Sequence, residues 1–179
     1  MRKIICFIAI SIDGYIADEN GDVSWISGDG SATDNGESYY QFIETVDTVV
    51  MGYTTYNQII TELSPENWVY DGLKSYVVTH RKLTDMDNII FTDEKIEVLI
   101  NKLKYQKGNN VWICGGASVI NQLIKKDLID VYHLSTMPII LGKGIKLFEY
   151  GIPKSELTLK FISSKNGVIE SIYEKRSID

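Results

Sequence analysis

Val111-Trp112-Ile113-Cys114-Gly115-Gly116-Ala117-Ser118-Val119 decides the fold class. Val111–Cys114 is an unbroken apolar run with no polar position to turn toward water, as a strand buried on both faces requires. From Ala117 onward the apolar residues fall at helical spacing, Ile120, Leu123 and Ile124, so the chain passes through two glycines straight from a buried strand into an amphipathic helix. Two readings of the glycines stand side by side. They let the backbone approach an anion at the free N–H groups and positive dipole end of the new helix, or they simply make a tight turn. The spacing is not Gly-x-Gly-x-x-Gly, so the ordinary dinucleotide fingerprint is absent.

Similar apolar runs lie at Ile4–Ile10, Thr48–Met51, Ser75–Thr79 and Asn88–Phe91. Between them, Glu37 to Val46, Thr54 to Ile60, Asp93 to Tyr105 and Ala117 to Lys126 carry helical spacing. Strand and helix alternate, which predicts a mostly parallel sheet with right-handed crossovers. The last third changes character: Asp130 to Thr136 reads as a strand, and Leu157–Ser163 and Val168–Tyr173 alternate apolar with polar across Lys165-Asn166-Gly167. Asn-Gly is a hairpin signal, so an antiparallel hairpin is expected to close one sheet edge. With no repeat, linker or low-complexity tract, residues 1–179 are expected to form a single domain.

The 179 residues, 44% apolar and 23% charged, suit one globular core. A net charge of -6 with only 18 Lys and Arg leaves no basic stripe for a phosphate backbone, and nucleic acid is excluded as a partner. Cys6 and Cys114 sit inside apolar runs without Cys-x-x-Cys spacing and read as reduced core thiols. Met1-Arg2-Lys3 before Ile4–Ile10 superficially resembles a signal peptide. The run is rich in β-branched Ile, lacks an Ala-x-Ala cleavage pattern and breaks at Asp13-Gly14, as a strand entering a turn does. No segment approaches the ~18 apolar residues of a membrane span, and the expected location is cytoplasmic.

Ordered segments then accumulate: Ala9-Ile10-Ser11-Ile12-Asp13-Gly14-Tyr15-Ile16-Ala17, Gly21 and Trp25, Val50-Met51-Gly52 with Thr54-Thr55-Tyr56, Val77-Val78-Thr79-His80-Arg81, the Gly115-Gly116 turn, and Pro138-Ile139-Ile140-Leu141-Gly142 with Gly144. Their order resembles the dihydrofolate reductase-like superfamily. Within it, the pattern is most similar to the branch holding the reductase domain of bifunctional riboflavin-biosynthesis deaminase-reductases and its stand-alone bacterial relatives. The resemblance implies an α/β three-layer sandwich, NADPH as cofactor, a small heterocyclic substrate and a homodimer. It places Ala9 with Ile16 and Gly21 beside the nicotinamide, the loop acting as a lid. It places Gly52, Thr54 and Thr55 at a second phosphate-binding turn, and Thr79, His80 and Arg81 at the adenosine ribose and its 2′-phosphate. Gly115, Gly116, Ser118 and Val119 fall at the pyrophosphate turn, whose Gly-Gly peptide is typically cis in the family. One departure is plain: Tyr53 stands where the family often has Arg, leaving Arg81 as the cation.

True dihydrofolate reductases carry a carboxylate near the start of the first helix, where it supports protonation. Here Ser27 to Ser38 holds several acids; Glu37 is nearest by spacing, with Asp34 behind it, although an acid in a first helical turn is also what the helix dipole selects. Asp13 reads either as the edge of the substrate pocket or as an ordinary Asp-Gly turn, and Trp25 as a pocket wall or a loop anchor. His133 reads as structural, and no metal is proposed. The resemblance implies hydride transfer to a pterin- or pyrimidine-like ring, closest to 5-amino-6-(5-phosphoribosylamino)uracil reduction, with a carboxylic acid or ordered water giving the proton. Dihydrofolate reduction and a non-catalytic nucleotide-binding protein on the same fold are the alternatives.

Overall fold

Successive side chains of the first strand, β1 (Ile4–Ser11), go to opposite faces: Ile4 and Cys6 enter one core and Ile5 the other. Two layers of helix are therefore needed, one on each side. The computed structural model, which describes residues 1–33 and 36–176, supplies both. In chain order the remaining elements are β2 (Tyr15–Ala17), α1 (Glu37–Ile43), β3 (Val46–Gly52), α2 (Tyr53–Gln58) running into a π-helical turn (Ile59–Leu63), β4 (Lys74–Val78), β5 (Ile89–Thr92) and α3 (Ile96–Tyr105). There follow β6 (Asn110–Gly115), α4 (Ala117–Lys125), β7 (Val131–Met137), β8 (Ile145–Lys146), β9 (Leu157–Lys165) and β10 (Val168–Lys175).

The main sheet has the order β5-β4-β3-β6-β1-β7-β10-β9. It is parallel from β5 through β7 and antiparallel in its last two pairings. Ile96, Ile100, Leu103, Ile120 and Leu123 of α3 and α4 pack on Ile4, Cys6, Val50 and Ile113. On the other face, Phe42, Tyr56 and Ile59 pack on Ile5, Val49, Met51 and Trp112. Handedness explains the division. The β3-α2-β4 crossover travels toward one edge of the sheet and β6-α4-β7 toward the other, and right-handed crossovers of opposite direction must lie on opposite faces. β3 and β6 are neighbours, so the chain's direction switches between them, the place where open α/β sheets bind ligands.

The expected mostly parallel sheet, flanking helices and C-terminal hairpin are all present. Asn166 (φ 53) and Gly167 (φ 73) both adopt the left-handed conformation of a two-residue I′ turn. Val46 was expected to end the first helix and instead begins β3: the helix closes at Ile43, the Thr45 hydroxyl donates to the Phe42 carbonyl at 2.7 Å, and Val46 enters the core. The two-stranded sheet of β2 and β8 was not anticipated from sequence. Cys6 and Cys114 are free thiols; burial first, then Cys114, pushes Cys6 up to about 12, and burial pushes Cys114 up to about 11. No helix among the described residues is long and apolar enough to cross a membrane.

Candidate active site

At the switch point β3 and β6 run side by side, Met51 paired with Gly115, and each delivers the chain through glycine into a helix. Gly52 and Gly116 occupy the N-cap positions of α2 and α4 in extended backbone, neither with a side-chain cap. The first-turn N–H groups of both helices are thus left without a side-chain acceptor. The two turns touch. A Cβ on Gly52 would lie 3.3 Å from Val119 Cγ2, and one on Gly116 would lie 3.4 Å from Thr55 Oγ1. Gly115 has φ 134, a conformation L side chains avoid, and the Gly115–Gly116 peptide is cis.

Around this cradle the fold gathers Gly52, Thr55, Gly115, Gly116 and Val119, with Thr54 and Ser118 exposed on the first turns of their helices. Thr79, 8% exposed at the end of β4, accepts the Arg81 backbone N–H on Oγ1 at 3.1 Å, and His80 is exposed. The Arg81 guanidinium lies 4.5 Å over the ring of Tyr53, the residue after Gly52. Gly21 is tied to the same region through its carbonyl, which accepts from Gln58 Nε2 at 2.8 Å. Ile16 packs on the core beneath α4.

Beside the cradle, on the α1 face, a cleft of about 590 Å³ opens over β1, β7 and β10, within the size range of small-molecule sites. Strand register builds its floor as two rows. Ala9, Ser135, Glu170 and Ser163 stand side by side across β1, β7, β10 and β9, and Phe7, His133, Ile172 and Phe161 form the row behind. Tyr39, Tyr70 and Trp112 wall the other side, with Tyr70 and Trp112 ring centroids 4.9 Å apart. Residues 28–32 dock on the hairpin turn: the Asp29 N–H donates to the Asn166 carbonyl at 2.9 Å and the Ala32 N–H to Asn166 Oδ1 at 3.2 Å.

Of the three expected catalytic residues, the structure brings Glu37 to the cleft and leaves the other two outside its lining. Glu37 sits on the rim, 59% exposed, 3.5 Å from Lys165 and accepting from Gln41 Nε2 at 3.3 Å. Asp34 lies outside the described residues. The Trp25 indole N–H donates to the Asp22 carbonyl at 3.1 Å, an anchoring contact within its own loop. Asp13 accepts from the Ser11 hydroxyl (2.6 Å) and from the Gly142 and Leu141 N–H groups (2.7 and 3.1 Å), binding the loop after β1 to residues 141–142.

Those contacts, the Ser11 hydroxyl foremost, hold the Asp13 carboxyl below the usual carboxylate range. A group whose pKa falls on folding adds stability above its unfolded value, near 3.9, and loses it as pH drops through the folded one. Asp13→Asn is therefore expected to melt less steeply with falling pH than wild type between about pH 5 and pH 3. Superimposable acid limbs in thermal melts would show that the contacts carry no such linkage.

One cleft residue, Glu170, escaped the sequence reading. Glu170 Oε2 lies 2.8 Å from His133 Nε2, with side chains only 15% and 10% exposed. The alternation of apolar and polar residues along Val168–Tyr173 does not single out Glu170. The signal that finds it is the Asn-Gly turn, which fixes Glu170 opposite Ser163. Among the described residues no three His, Cys, Asp or Glu side chains cluster to hold a metal.

Comparison with known proteins places this geometry. The uncharacterized protein YwjB of Bacillus subtilis is 36% identical over 162 residues, covering 89% of this chain and 90% of that protein. The crystal structure of a "Putative riboflavin biosynthesis protein" from Shewanella sp. PV-4 superposes with a TM-score of 0.80 at 27% identity, covering 99% of this chain and all of that one. The fold recurs in a diaminohydroxyphosphoribosylaminopyrimidine deaminase/5-amino-6-(5-phosphoribosylamino)uracil reductase from Thermotoga maritima (TM-score 0.70, 15% identity), where 98% of this chain covers 57% of the other. A family model matches residues 2–168, and the chain belongs to the RibD C-terminal domain family.

Proposed function

We propose that this protein is an NADPH-dependent reductase of a flat nitrogen heterocycle of pyrimidine or pterin type. One observation carries the reading: Cys114 lines the aromatic cleft, and the next residue, Gly115, opens the glycine cradle, so the two sites are continuous. The cradle suits a dinucleotide. Side chains are missing where a pyrophosphate must approach, two helix N-termini face the gap, and Arg81 stands at its outer end for a 2′-phosphate.

Bound there, NADPH supplies a hydride to an electrophilic carbon of a C=N bond. The chain's own residues do the rest. The N–H groups after Gly52 and Gly116 hold the phosphates, and the small side chain of Ala9 leaves room where cofactor and substrate rings must face one another. Phe7, Tyr39 and Trp112 orient a flat ring and exclude water. Among the described residues of the cleft, the carboxyl groups are those of Glu37 and Glu170, and either could pass a proton to the reduced nitrogen. Neither Tyr53 nor Trp25 lines the cleft, which favours a working site over a non-catalytic one.

The test is a titration with NADPH and NADH, read as quenching of the three tryptophans, followed by oxidation of the bound reductant in the presence of pterins and ribosylaminopyrimidines. Saturable NADPH binding and substrate-dependent oxidation are expected. Failure to bind either nucleotide would overturn the reductase reading.

A further inference from the structure

The carboxylate best placed to read a substrate is not on the first helix. Glu37 is mostly in water and already faces Lys165, whereas Glu170 is nearly enclosed and lines the cleft floor. His133 fixes it: the imidazole binds Oε2, and its ring is clamped by Phe7 (centroids 4.3 Å) and by the edge of Phe42 (5.9 Å). No described residue hydrogen-bonds Glu170 Oε1. That oxygen is left to the open cleft, where a ligand N–H can reach it, and its neighbours in the row are Ser135 and Ser163, whose hydroxyls can give or take a hydrogen bond. A ring N–H beside an exocyclic amino group offers two donors side by side, the arrangement a carboxylate binds best.

Charge narrows the ligand further. Among the described residues the cleft is lined by two carboxylates, Glu37 and Glu170, against one cation, Lys165, which lies 3.5 Å from Glu37. A phosphate monoester carries roughly -1.5 to -2 at neutral pH and is normally met by Arg or by several donors. This cleft would repel it.

We propose that Glu170, oriented by His133, is the residue that recognises the substrate, and that the substrate is an aminopyrimidine-type ring presenting adjacent N–H donors and carrying no phosphate. This rests on the reductase reading of the cleft. His133 acts as a positioning residue, and Glu170 supplies the contact.

The experiment uses the whole protein and two kinds of probe: 2,4-diaminopyrimidine, and the matched pair 5-amino-6-ribosylaminouracil and its 5′-phosphate, each titrated by quenching of Trp112, which lines the cleft. Glu170→Gln is expected to weaken diaminopyrimidine binding about tenfold or more, and His133→Phe to weaken it while shifting its pH profile. The 5′-phosphate is expected to bind more weakly than its parent, with the gap narrowing as salt rises. NADPH affinity, read on the same variants, should stay at its wild-type value. Unchanged probe binding in Glu170→Gln, a larger loss in Glu37→Gln, or tighter binding of the phosphorylated probe would each overturn the proposal while NADPH binding left the reductase reading intact. Loss of NADPH binding by wild type would instead remove the reductase reading itself.

Discussion

Gly116→Val is expected to lose at least about 100-fold in NADPH affinity, close to 3 kcal/mol, while folding normally. Gly116 has φ -75, open to any residue, so the substitution does not strain the backbone. Its Cβ would already lie 3.4 Å from Thr55 Oγ1, in ordinary contact. The two γ-methyls would add bulk beside Thr55, next to the turn where a pyrophosphate would have to reach the backbone N–H groups. Gly115 is the poorer test, because at φ 134 any side chain there strains the fold as well as the site. Calorimetry with NADPH, paired with a melting curve, separates the two effects. Wild-type affinity in a folded Gly116→Val protein would show that the cofactor does not cross this turn.

How far the sequence could be read depended on whether a feature was local. The strand into Gly115-Gly116 was legible because an unbroken apolar run, two glycines and a change of period occupy nine consecutive residues. The Asn166-Gly167 hairpin was legible because its turn chemistry fixes both residues left-handed. The cleft floor was not. Ala9, Ser135, Glu170 and Ser163 come from four strands and meet only through register, and polar positions in a half-buried strand ordinarily face water. Here the face they occupy is recessed beside α1 as a cleft, so Glu170 lines a cavity. β2 and β8 escaped for the opposite reason: three and two residues carry no period, and they pair across more than a hundred residues. For Asp13 and Trp25 the sequence left a pocket role and a turn or anchor role side by side, because their partners, the Leu141 and Gly142 N–H groups and the Asp22 carbonyl, are backbone groups invisible to side-chain patterns.

Arg81→Ala is expected to lower NADPH affinity about 10- to 100-fold, the loss of a charge-assisted contact, and to leave NADH affinity within about twofold. Tyr53, where the family resemblance leads one to expect Arg, has the Arg81 guanidinium 4.5 Å over its ring. Such a contact contributes about 0.5–1 kcal/mol at an exposed site, enough to bias the side chain toward the cradle while its N–H edge stays available for a phosphate. The Thr79 hydroxyl steadies the backbone below by accepting the Arg81 N–H. Tyr53→Ala should therefore weaken NADPH by less than Arg81→Ala, since it removes the support and keeps the charge. The two nucleotides share every contact except the 2′-phosphate, so the ratio of their affinities reports on that phosphate alone and is blind to general damage. A parallel loss for NADPH and NADH would place the 2′-phosphate elsewhere and make Arg81 a structural partner of Tyr53.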